Sequence, residues 1–183
     1  MLGNGYKDGG GVLLATVLDD QVRQLLAQGR DVVVLVDSED VLPDDIVITA
    51  KLRAGNELDG RWFSNFNWIR WNSAPFDQLT FTRVLGFESA AVVPRLMLQS
   101  IPATTFENVL CGATFGWLQK NSAIVLQMAA ERGRLLLTTF RFDKYGHDAY
   151  ATVLLDKLIE YVQSTKCKPQ LQLGAAMQGE SAQ

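Results

Sequence analysis

The chain has 183 residues, 48% of them hydrophobic and 20% charged, with a formal net charge of −3. That length allows one domain with a substantial core, and the composition is that of an ordinary globular protein. The slight acidity speaks against nucleic-acid binding, where Lys and Arg must meet phosphate. Two cysteines and one histidine leave no disulfide framework and no multi-histidine zinc site, so no cofactor or metal is expected.

Gly9-Gly10-Gly11 precedes the apolar run Val12–Thr16, which predicts a buried strand. Leu18–Gln28 places Val22, Leu25 and Leu26 on one helical face, with Asp19 and Asp20 at its start and Gly29 at its close. Asp31–Asp37 (DVVVLVD) is the β-branched run of a strand covered on both faces, which completes a βαβ unit. Ser38–Asp45 is an acidic loop and Ile46–Leu52 a further strand. Gly55–Phe76 is aromatic-rich, and Pro94 and Pro102 argue against a long helix around Val84–Leu98. Val109–Leu118, Ala123–Ala130 and Arg134–Phe140 read as strands, the last two joined by a turn at Glu131-Arg132-Gly133. Asp148–Val162 has the spacing of an amphipathic helix capped by Asp148.

These elements predict one α/β domain over residues 1–164, an open sheet with helices on its faces. Residues 165–183 are polar and weakly patterned, and predict a disordered tail. No apolar run reaches transmembrane length, and MLGNGYKDGGG lacks the pattern of a signal peptide. The chain is therefore expected to be soluble, cytoplasmic by default, with no membrane partner. The glycine-rich start also suits the cut edge of a longer protein.

The order VLLAT-x-LDD…VVVLVD, GRWFSNFNWIR, GATFGWLQKNSAIVLQMAAERGRLLLTTFRF and HDAYATVLLDKLIEYV resembles a domain near the C-terminus of family 2 glycoside hydrolase-like proteins, the bacterial relatives of β-galactosidase and β-glucuronidase. The likeness spans roughly Gly11 to Val162. It implies a class I glutamine amidotransferase-like fold, a flavodoxin-like, mainly parallel sheet with helices on both faces. It also implies an accessory role, since the glycosidase carboxylates of such proteins lie in a separate barrel domain that nothing here resembles.

Three functional readings follow. In the first, the domain is non-catalytic and packs against other domains or subunits of a glycosidase-like protein, or forms a homodimer. In the second, Trp62, Phe63, Phe66, Trp68 and Trp71, with Asn65, Asn67 and Arg70, form a carbohydrate-stacking or partner-binding surface. Filling the core beneath a loop is the alternative role for each ring. In the third, Cys111 and His147 act as the thiol and base of an amidase or transferase. The family's cysteine sits on a glycine-flanked strand-to-helix turn with a later His-x-Glu. Here only Gly112 flanks Cys111, the strand pattern continues, and Ala149 stands where Glu is required. The pairs Asp19/Asp20, Glu39/Asp40 and Asp44/Asp45 read as helix-start and turn residues rather than glycosidase carboxylates.

Overall fold

The computed structural model describes residues 7–9, 11–53, 65–70, 73–77, 79, 83–115 and 120–174. They form a mixed α/β unit around one nine-stranded sheet. After β1 (Lys7–Gly9) come β2 (Val12–Ala15), α1 (Asp20–Ala27) and β3 (Asp31–Leu35). β2 and β3 pair in parallel, so the expected βαβ unit forms. Asp19 caps α1 by accepting from the Val22 N–H at 2.9 Å, and Gly29 ends it with φ +96°. β4 (Thr49–Leu52), β5 (Asn65–Ile69), β6 (Leu96–Gln99), β7 (Val109–Phe115), β8 (Lys120–Ala130) and β9 (Gly133–Thr138) follow, and α2 (Ala149–Gln163) closes the succession. Asp148 caps α2 through the Ala151 N–H at 2.9 Å. The Val84–Leu98 stretch resolves into a 3₁₀ helix, Phe87–Val92, followed by β6. No helix among the described residues is long and apolar enough to cross a membrane.

Alternation along the strands explains why two helices suffice. Val32 and Val34 face the layer that holds Val22 and Leu26 of α1. Val33 and Leu35 face the layer that holds Leu154, Leu155 and Leu158 of α2. The helices therefore cover opposite faces, as expected.

The mainly parallel, flavodoxin-like sheet does not form. Of eight strand pairings among the described residues, only β2–β3 and β3–β9 are parallel. The reason is connection length. β8 and β9 are joined by the tight turn at Glu131-Arg132, where Glu131 takes φ +49°, and a parallel return needs a crossover of about a dozen residues or more. A three-strand parallel core is thus extended by an antiparallel meander.

Polar groups lock the core's register. Asp31 at the start of β3 accepts from the Arg134 backbone N–H, from Nε and from Nη2, at 3.0, 3.0 and 2.6 Å. Arg134 Nη1 also donates to the Ser164 carbonyl at 2.7 Å, which ties the end of α2 to the sheet. The Asp31 hydrogen bond holds the guanidinium firmly protonated.

The disordered tail is also corrected as far as Gly174. Cys167, Leu171 and Leu173 are buried. Asn108 Oδ1 accepts from the Gln170 and Leu171 N–H groups at 2.7 and 3.3 Å, and the Leu171 carbonyl accepts from Ala129 at 2.8 Å. The segment's polarity hid two leucines spaced to bury together beside β8. Residues 175–183 lie outside the described set. Leu171→Ala should lower the unfolding free energy by about 2–4 kcal/mol, the cost of emptying a fully packed leucine site. Chemical denaturation checks this, and an unchanged midpoint would mean that the segment does not pack.

Candidate functional site

Cys111 lies within β7, with its side chain completely buried in the layer beneath α2. Burial pushes its thiol well above the ordinary range, so the sulfur stays protonated at neutral pH. Gly112 has a packing reason to be glycine. A Cβ there would stand 2.5 Å from the Ser122 carbonyl oxygen and 2.8 Å from the Trp68 ring. The flanking glycine seats an indole; it does not build a nucleophile turn.

His147 sits in the exposed turn between β9 and α2, where its N–H donates to the Lys144 carbonyl at 3.0 Å. Among the described residues no hydrogen bond joins His147 to Cys111, and the two differ in burial as core does from surface. The geometry assembles no thiol–imidazole pair. Both cysteines are buried and unpaired. Cys167 lies 3.7 Å from Gln127 Oε1, which also accepts from the Tyr161 hydroxyl at 2.7 Å.

Of the aromatic segment, Trp62, Phe63 and Trp71 lie outside the described residues. Asn65 and Phe66 fall in β5, antiparallel to β7. The rest serve the fold. Trp68 packs on the core layer of α1 and meets Phe106 with ring centroids 5.5 Å apart. Arg70 lies 6.0 Å from the Trp68 ring centroid, donates from Nε to the Val109 carbonyl at 2.7 Å, and reaches the Phe106 carbonyl at 3.4 Å. Asn67 clasps Leu85 by accepting from its N–H at 2.7 Å and donating to its carbonyl at 3.4 Å. Asn67 and Arg70 thus direct hydrogen bonds to the chain's own backbone, and Trp68 packs within the fold.

The paired acids behave as surface residues. Asp19 caps α1, Asp45 meets Arg23 in a two-pronged ion pair with one arm of 2.7 Å, and Glu39 meets Lys51 at 3.2 Å.

Sequence reasoning missed the surface next to β5. A groove of about 360 Å³ is lined by Leu85, Phe87, Val93, Pro94, Met97 and Ile124. Phe87 is 100% exposed at its rim, and Val84 and Val93 are exposed as well. The only signal was one phenylalanine in a polar context, GFES, and residue type alone does not reveal exposure.

No protein-family model matches the chain, and no curated protein matches it.

Two measurements test these assignments. The Cys111 thiol should stay unmodified by a chromogenic disulfide reagent at neutral pH and react fully only after denaturation; rapid native reaction would contradict its burial. Gly112→Ala should cost about 1–3 kcal/mol through overpacking and shift tryptophan emission as Trp68 is displaced. A silent substitution would show that the indole is not seated on this backbone.

Proposed function

We propose that the chain is a non-catalytic, amidotransferase-like accessory domain of a glycoside hydrolase-like protein, and that it works by packing against other domains or subunits. The observation that carries this reading is the position of Cys111. The one candidate nucleophile is sealed inside a strand ladder with its thiol protonated, and the one histidine sits apart from it on the surface. The parallel trio β2, β3 and β9, with a helix on each face, is the part compatible with an amidotransferase-like ancestry. The antiparallel strands beyond it depart from that pattern.

The contact face on this reading is the apolar groove beside β5. A fully solvated phenylalanine above an apolar trough is stabilised when another surface covers it. In isolation a second copy of the chain is the available cover, which gives the homodimer.

The purified chain should release no ammonia from glutamine and should hydrolyse no chromogenic glycoside. Turnover abolished by Cys111→Ala or His147→Ala would overturn the non-catalytic reading. Sedimentation velocity should show concentration-dependent dimers that Phe87→Ser shifts to monomer without changing the unfolding temperature. A monodisperse monomer at high concentration would remove the self-association.

A further inference from the structure

A second cavity, of about 370 Å³, opens where the three parallel strands end. It falls within the lower part of the range of about 300–1,000 Å³ found for ligand clefts. Thr16 follows β2, Asp37 follows β3, and Thr139 through Asp143 follow β9, so one rim collects residues from all three strand ends. β2 leads to α1 on one face of the sheet, and β9 leads to α2 on the other. Connections diverging to opposite faces leave a crevice at the carboxyl edge, the general place for ligands in sheets of this kind.

The polar inventory is specific. Thr139 is 2% exposed, yet its Oγ1 meets no hydrogen-bond partner among the described residues. A buried hydroxyl without a partner is costly, and Thr139 stands in the lining of this cavity. Arg141 is paired with Asp143 at 3.1 Å. Asp37 and Arg95 form no ion pair among the described residues, which leaves one acceptor and one donor of opposite charge on the same rim. The lining charges therefore balance, which disfavours phosphate or a polycation. Leu35, Leu96, Phe140 and Phe142 supply an apolar wall.

We infer that this cavity binds a neutral, polyhydroxylated ligand of monosaccharide size. Each ligand hydroxyl both donates and accepts, so a single ring can give to Asp37, take from Arg95 and partner the Thr139 hydroxyl. The C–H face of the ring lies against the phenylalanine wall. The packing role proposed above uses other residues, Phe87 and Val93 among them, and is not required for ligand binding here.

Saturation-transfer NMR on the full chain, with D-glucose, D-galactose and D-mannose as probes, would detect the complex, and calorimetry would give its affinity. At least one sugar should bind saturably. Asp37→Asn should weaken it about tenfold, and the near-isosteric Thr139→Val about fivefold, with both variants folded by circular dichroism. No saturable sugar, or sugar binding that both substitutions leave unchanged, would overturn the assignment. So would L-glutamine or inorganic phosphate binding in an Asp37-dependent way while the sugars do not. None of these outcomes bears on self-association, which is read separately by sedimentation.

Discussion

Everything in this fold is arranged around the burial of β3 on both faces. Val32, Val33 and Val34 are each completely excluded from solvent. Side chains alternate along a strand, so such a run is stable only if apolar layers lie above and below it. That requirement calls for one helix on each side, and α1 and α2 meet it. It also calls for hydrogen-bonded neighbours on both edges, which β2 and β9 supply. The Asp31–Arg134 clamp then acts as a register pin at the start of β3. A one-residue slip of β9 would exchange its two faces and pull the guanidinium away from both oxygens.

The antiparallel remainder answers a different constraint. Once β9 enters beside β3, β8 must run against it, because only a two-residue turn separates them. β8 is eleven residues long and also pairs with β7 and with β6. One long strand thereby passes the order of the parallel core to strands that no helix crossover reaches. Trp68 seals this extension by lying on the Gly112 backbone, and Arg70 covers the indole while satisfying carbonyls at its edge.

Local elements were legible in the sequence because their causes are local. The apolar runs at Val12, Asp31 and Arg134, and both helix caps, declare themselves within a few residues. The direction of strand pairing was not local in the same way. DVVVLVD reads correctly as a doubly buried parallel strand, but that inference does not extend to the rest of the sheet. The turn at Glu131-Arg132-Gly133 already required at least one antiparallel pair. The tail misled for a related reason: Leu171 and Leu173 bury beside β8 where Asn108 and Ala129, both distant in sequence, hydrogen-bond the segment's backbone. Asn67 and Arg70 looked like recognition groups because their partners are backbone atoms, which composition cannot show.

The strand-end cavity had a signal of its own. Thr16, Asp37 and Thr139 are polar residues that each lie within two positions of the end of a strand destined for the core. Taken singly, each is an ordinary strand terminus and points to no chemistry. Their significance appears only when the order β2-β3-β9 is known, because parallel pairing brings all three ends to one edge. Antiparallel neighbours would have sent the middle residue to the opposite edge. The same double burial of β3 that fixes the architecture therefore determines which polar groups can meet. A strand covered on both faces favours parallel neighbours, and parallel neighbours gather their carboxyl ends. An unpartnered hydroxyl at that edge is a consequence of topology as much as of side-chain choice. This is why a chain with no paired thiol and imidazole can still present a built cavity.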